Sequence, residues 1–149
     1  MARIKLVMPD RYAFSTRIPV RVTDVNYAGH LGNDSLLSIL HEARMQFLGR
    51  MDCSEFDSCG KGLIMADAAL VYRDEAFFGD TLEVSMAAQE FTRVGFDLYY
   101  RVRTERQEQD ISIANARTHL VFFDYQSHKK SIVPDEFLAR IAHLQGQTP

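Results

Sequence analysis

Cysteine is scarce: the chain has two, Cys53 and Cys59. One pair in a polar stretch cannot brace a disulfide-held secreted fold, and its spacing matches no common zinc site. It reads as two free thiols in a reducing cytoplasm. Long apolar runs are missing too. No uncharged stretch approaches the roughly 18 residues of a membrane-crossing helix, and residues 1–10 hold too short an apolar segment for a secretion signal. Neither sign of charge dominates: 17 basic and 20 acidic residues leave −3. That balance gives no general attraction to nucleic acid or to an anionic membrane, although a local basic patch is allowed. Repeats, low-complexity tracts and Pro/Gly/Ser linkers are absent. What remains is an ordinary globular composition over 149 residues, 46% hydrophobic and 25% charged. It sets aside disordered-tail and collagen-like chains and implies one domain, residues 1–149, able to bury a real core.

Hydrophobic periodicity divides the chain. Residues 17–23 alternate, with Ile18, Val20 and Val22 on one face, and predict a strand whose Pro19 favours an edge. A loop with Gly29 and Gly32 follows. Residues 34–49 predict a helix: Leu36, Leu40, Ala43 and Phe47 recur at spacings of three and four, flanked by Leu37 and Leu48. Asn33 or Asp34 can cap its start, and Gly49 can stop it. Residues 50–61 form a polar loop. The period then changes to two over residues 63–73, 81–90, 93–104 and 111–124, each a predicted strand. Gly79-Asp80 separates the first two, and residues 106–110 form a hairpin turn between the last two. In the last strand Ala114, Ala116, Thr118, Leu120 and Phe122 share one face and Ile113, Val121 and Phe123 the other, which predicts cover on both sides. Pro134 opens a short final helix packing through Phe137, Leu138, Ile141 and Leu144. The order predicts an α+β domain, a five-stranded antiparallel sheet curled around one long helix. One helix covers one sheet face, so the other face and the edges are open to a partner, and a homo-oligomer is expected.

Chemistry concentrates in residues 22–34, between the first strand and the helix. Asp24, Asn26, His30 and Asn33 lie there with Gly29 and Gly32. The segment feeds a helix N-terminus, where unpaired N–H groups and the dipole stabilise developing negative charge. Glycine lets the backbone turn sharply and approach a ligand. An acyl carbonyl at the amides of residues 29–33 would have its oxyanion stabilised without a side-chain nucleophile.

The run Asp24-Val25-Asn26-Tyr27-Ala28-Gly29-His30-Leu31-Gly32-Asn33, followed by His41-Glu42-Ala43-Arg44 and Phe47-Leu48, resembles the signature of hotdog-fold acyl-CoA thioesterases of the 4-hydroxybenzoyl-CoA thioesterase type. The resemblance continues through Val71-Tyr72 and Phe78-Gly79-Asp80-Thr81-Leu82, and covers roughly residues 15–135. It implies a curved antiparallel sheet around one helix, and dimers or tetramers with active sites at subunit interfaces. Many members carry a catalytic aspartate where this chain has Asn26, and an amide is neither a general base nor a nucleophile at neutral pH. Plant acyl-carrier-protein thioesterases look similar in having Asp-x-Asn followed by His.

The catalytic candidates are therefore Asp24, Asn26, His30, Glu42 and Asp67. Asp24 can act as general base or orient His30 and Asn26, or simply end the strand in an Asx-turn. Asn26 can hold the carbonyl or a water, or be a turn residue. His30 can donate to a carbonyl or accept a proton, or be structural. Glu42 falls with Ser35, Ser38 and Gln46 on the helix's polar side, which is solvated in a monomer but faces a neighbour in an oligomer. Asp67 falls mid-strand among apolar residues, and a buried carboxylate needs a partner or a function. Tyr27, Gly29, Leu31, Gly32 and Asn33 are the substrate-binding candidates. Arg44 lies on the apolar side and favours a structural ion pair. Tyr27, Phe77 and Phe78 can line a pocket or fill the core. His128, Lys129 and Lys130 form a basic cluster suited to a coenzyme A phosphate or to a solvated turn.

The expected function is cytoplasmic hydrolysis of acyl-CoA, or acyl-carrier-protein, thioesters by direct water attack. Coenzyme A enters as part of the substrate; no cofactor or metal is expected, and no Gly-x-Ser-x-Gly elbow is present. Two alternatives stand beside it: an acyl-CoA-binding module without catalysis, and a hotdog dehydratase or hydratase.

Overall fold

Residues 2–146 are described in the structure, a computed structural model. Strand β1 (Phe14–Pro19) leads through a 3-10 turn (Val22–Asp24) into helix α1 (Asn33–Gly49). Strands β2 (Gly62–Tyr72), β3 (Thr81–Gln89), β4 (Gly95–Arg106) and β5 (Gln109–Asp124) follow, then a two-residue β6 (Lys129–Lys130) and helix α2 (Asp135–Leu144). The sheet is antiparallel throughout, in the order β1-β3-β4-β5-β2, with β6 also pairing β5. The α+β reading therefore holds, with β6 as an addition to the five expected strands. The first strand is shifted: it begins at Phe14 and ends at Pro19, on a sheet edge as its proline requires. Val22 lies in the 3-10 turn and is exposed, so the predicted Ile18–Val20–Val22 face stops at Val20.

One face of the sheet carries the core. Leu82, Val84 and Met86 of β3, Phe96, Leu98 and Tyr100 of β4, and Ala114, Ala116, Leu120 and Phe122 of β5 are buried with Leu36, Leu40, Ala43 and Phe47 of α1. The helical stripe read at spacings of three and four is thus the surface α1 lays on the sheet. Phe137 and Ile141 of α2 close one end of the same core. Ile113 joins it too, against expectation. Val102 pairs with Ala114 and Arg103 with Ser112, so Ile113 is the extra residue of a bulge and turns inward. The opposite face is largely polar instead of covered by apolar packing. Arg103 pairs with Glu83, Arg117 with Asp97, and His119 with Asp97, while Val121 is its buried apolar residue on β5. The β4–β5 hairpin turns at Gln107 and Glu108, both left-handed at φ 52° and 64°. A tight two-residue connection between twisted strands demands that conformation.

A buried polar chain ties α1 to the sheet and to the loop after it. Arg44 donates from Nε to Glu55 Oε1 at 2.6 Å and from a terminal nitrogen to the Tyr100 hydroxyl at 3.1 Å. That hydroxyl meets Thr118 Oγ1 at 2.8 Å, and His41 Nε2 lies 3.0 Å from Glu55 Oε2. This is the structural ion pair expected of Arg44. Burial raises the pKa of the Tyr100 phenol, so it stays a neutral donor and acceptor inside the core. Tyr100→Phe would leave a guanidinium N–H and a buried hydroxyl short of a partner. The expected cost is about 1–3 kcal/mol in urea unfolding; an unchanged midpoint would show that the chain contributes nothing to stability.

Candidate functional site

The loop between β1 and α1 is fixed by its backbone. Asn26 and Gly29 close a turn, with Gly29 N–H donating to Asn26 O at 3.0 Å and the Asn26 side-chain oxygen accepting from Ala28 N–H at 3.0 Å. Gly29 sits at φ +84°, a conformation side chains disfavour. Leu31 N–H then donates to Ala76 O at 2.7 Å, and Gly32 N–H to Asp24 O at 2.9 Å. The first bond docks the loop on the segment leaving β2, and the second turns the chain into α1. Gly32 occupies the N-cap without a side-chain cap, so neither Asn33 nor Asp34 caps the helix as expected; Asn33 is its first residue. The first helical donation is Leu36 N–H to Gly32 O at 3.2 Å. The amides of Asn33, Asp34 and Ser35 are therefore the helix's unpaired donors. They share only Asn33 with the 29–33 stretch expected to polarise a carbonyl, because Gly29, Leu31 and Gly32 spend their N–H groups holding the loop.

The first two of these residues, Asn33 and Asp34, stand at a cleft of about 580 Å³. Asn26, Tyr27, His30, Leu31, Gly32 and Asn33 line it from the loop side, Asp34 and Leu36 from the helix, Tyr72 to Ala76 from the end of β2, and Ile113 from the bulge. Of the ten anticipated site residues, six thus meet in one place. Tyr27 is fully exposed at its mouth. His30 places Nδ1 3.3 Å from Leu31 O and Nε2 3.8 Å from Glu75 Oε1. The Tyr72 hydroxyl donates to Asn33 O at 2.7 Å, bracing β2 against the helix start. Burial first, and then the Asp34 carboxylate, raises the pKa of that phenol, so it remains a donor.

The other anticipated residues lie elsewhere in the chain. Gly29 shapes the turn behind the cleft. Asp24 is buried, but its carboxylate faces Arg21, accepting from the backbone N–H at 2.8 Å, Nε at 3.2 Å and a terminal nitrogen at 3.1 Å. Those hydrogen bonds hold the Asp24 carboxyl below its ordinary range against the opposing effect of burial. Glu42 is exposed on the polar side of α1, accepting from Gln46 at 2.9 Å, in a separate groove with Arg21, His41 and Met45. Asp67 is not buried. It lies on the polar face of β2, 56% exposed, paired with Arg117 at 3.1 Å. Edge position explains this: β2 has a neighbour on one side only, and Ile64 to Ala68 are all exposed. Phe77 and Phe78 are exposed and outside the cleft, Phe77 stacked under Arg106 at 5.0 Å. The sequence reading missed Asp34 and the run Tyr72-Arg73-Asp74-Glu75. The signal available was their place at the end of a strand whose successor residue, Ala76, receives the loop.

Among the described residues no three His, Cys, Asp or Glu side chains gather as metal ligands, and no helix is long and apolar enough to cross a membrane. The thioesterase-like superfamily matches the chain over residues 20–141. No curated protein matches it. Solved structures share the fold. A 1,4-dihydroxy-2-naphthoyl-CoA thioesterase from Synechocystis is 24% identical, with 91% of this chain and 98% of that one covered at a TM-score of 0.77. A thioesterase from Thermus thermophilus, complexed with coenzyme A and Zn, is 20% identical, with 95% and 100% covered at 0.78. A hypothetical protein from Staphylococcus aureus in complex with CoA is 14% identical, with 97% and 90% covered at 0.80.

The Asp24–Arg21 clamp carries a sign in pH. A carboxylate with a lowered folded pKa stabilises above its unfolded pKa, and that contribution is lost as pH falls through the folded value. Arg21 is largely exposed, so the pair itself is screened. Asp24→Asn is expected to cost about 1 kcal/mol at pH 7. The gap to wild type should close as the carboxylate protonates, read by urea unfolding across pH. A pH-independent gap would contradict the clamp.

Proposed function

The chain belongs to the thioesterase-like superfamily, and we infer from its cleft that it hydrolyses acyl-CoA thioesters by direct attack of water. One observation carries the reading: the cleft joins the unpaired amides at the start of α1 to Asn26 and His30. The thioester carbonyl faces the Asn33–Ser35 amides, which meet the charge that develops on its oxygen. His30 takes the proton of the attacking water at Nε2, its Nδ1–H held on Leu31 O, and Glu75, 3.8 Å from Nε2, compensates the imidazolium. Asn26 orients that water through its side chain, replacing the carboxylate of the 4-hydroxybenzoyl-CoA type. Collapse of the tetrahedral adduct breaks the C–S bond, and the proton passes to the departing sulfur. The products are a carboxylic acid and free coenzyme A. Asp24 acts here as a positioning residue, since its main-chain oxygen fixes Gly32 and its carboxylate holds Arg21.

The expected outcome with a panel of acyl-CoAs is release of free thiol. His30→Ala should lower kcat by about 100-fold, with coenzyme A binding retained. Binding without thiol release would support the non-catalytic module, and hydration of an enoyl chain without thiol would support a hydratase. Full activity of His30→Ala would overturn the assigned base.

The reading includes a second copy of the chain. Strand β2 ends the sheet with its outer backbone row unpaired and Ile64 and Met65 exposed along it. Such an edge is a template for pairing, and two copies of β2 running antiparallel extend one sheet across a two-fold axis. The bulge between Met65 and Asp67 falls near the middle of that seam. Sedimentation should give twice the chain mass at micromolar concentration; a monomer there would contradict the pairing.

A further inference from the structure

Glu75, which the mechanism sets beside His30, has little to hold its carboxylate. Its side chain is 60% exposed, and the ion pair it makes is the one with His30 Nε2 at 3.8 Å. Its aim therefore comes from its backbone. Glu75 N–H donates to Asp74 Oδ1 at 2.7 Å, and Glu75 O accepts from a terminal nitrogen of Arg106 at 2.5 Å. Both peptide groups flanking Glu75 are thus pinned, and its Cα–Cβ bond is given one direction. The next carbonyl, Ala76 O, is taken by Leu31 N–H from the loop that carries His30.

Arg106 is the last residue of β4, at the tip of the β4–β5 hairpin, and does not line the cleft. It is itself held in place. Nε donates to Asp80 Oδ2 at 3.1 Å, and the guanidinium lies 5.0 Å from the centre of the Phe77 ring. Asp80 is 10% exposed, and the same carboxylate oxygen accepts from Phe77 N–H at 2.9 Å. Asp80 N–H donates to Phe77 O at 3.0 Å and closes a turn in which Gly79 takes φ +96°. Val20 N–H, just past β1, donates to Asp80 O at 2.8 Å and anchors that turn. One guanidinium therefore grips the 75–80 segment at its first carbonyl and its last carboxylate. A planar fork of donors suits that task.

We propose that Arg106, seated on Asp80 outside the cleft, is a positioning residue that fixes the Glu75 backbone and so aims its carboxylate at the imidazolium formed on His30. The inference rests on the thioesterase reading for what His30 does. The aim matters because Glu75 is exposed: attraction between solvated charges weakens with distance and is screened by salt. A Glu75 side chain swung into water would leave the imidazolium uncompensated. Stability depends less on the contact, since Arg106 is partly exposed and water can replace it at the Glu75 carbonyl.

The test is a double-mutant cycle between Arg106→Gln and Glu75→Gln. With circular dichroism intact, Arg106→Gln should lower kcat for acyl-CoA by about 10-fold and leave KM unchanged. Glu75→Gln should lower kcat as well, and adding Arg106→Gln to it should change nothing further, because no carboxylate is left to aim. Wild-type kcat in Arg106→Gln, or a fall that repeats in full in the Glu75→Gln background, overturns the proposal; the second result would mean that Arg106 acts through stability or its own charge. A second arm needs no turnover. At one fixed pH, the NMR signals of the His30 ring should be displaced in the same direction by Arg106→Gln and by Glu75→Gln, with those of His119 on the sheet's polar face unmoved. His30 signals that respond to Glu75→Gln and not to Arg106→Gln, or to neither, overturn the positioning role. Absence of thiol release alongside a shared displacement would count against hydrolysis and still support Arg106 as the residue that aims Glu75.

Discussion

Two backbone hydrogen bonds position everything that follows: Leu31 N–H to Ala76 O and Gly32 N–H to Asp24 O. They join the loop before α1 to the segment after β2 and set the direction in which the helix leaves. Without them the helix would still cover the sheet, since its apolar stripe is long and deeply buried. Its N-terminus would have no fixed relation to Asn26, His30 or Glu75. The same bonds decide which amides remain for chemistry. A donor that holds the loop cannot hold an oxyanion, so in the proposed mechanism that task falls to Asn33, Asp34 and Ser35.

Rigidity at the cleft is borrowed from the core. Tyr72 braces the first helical residue from β2, while Arg44, Tyr100 and Thr118 tie the middle of α1 to β4 and β5. Arg44 also holds Glu55 in the loop that carries Phe56. One helix thus meets the cleft at its start and leads into the loop carrying Phe56 beyond its end. Edge strand β2 spans the same two ends along the sheet.

Much of this is legible in the sequence, for physical reasons. The period of 3.6 over residues 34–49 and of two beyond residue 62 reports which side chains leave water, so α1 and the four long strands follow directly. The concentration of polar and glycine residues between 22 and 34 marks the cleft's loop. What the sequence hides depends on partners distant along the chain. Asp67 looks buried in a pattern of apolar neighbours, and only the strand order reveals an edge. Ile113 reads as outward-facing until a one-residue bulge reverses it. Asp24 has the look of a catalytic acid, yet Arg21, three residues earlier, claims its carboxylate. Glu75 carries no motif and enters through the Leu31–Ala76 bond beside it.

The central claim is that the acyl carbonyl sits at the unpaired amides of α1. A crystal structure with an acyl-CoA analogue whose sulfur is replaced by methylene tests it most directly. The ketone oxygen should lie within hydrogen-bond distance of the amides of residues 33–35, with His30 and Asn26 flanking the carbonyl carbon. An analogue bound with its ketone away from that helix start, or with His30 turned out of reach of the carbon, would contradict it.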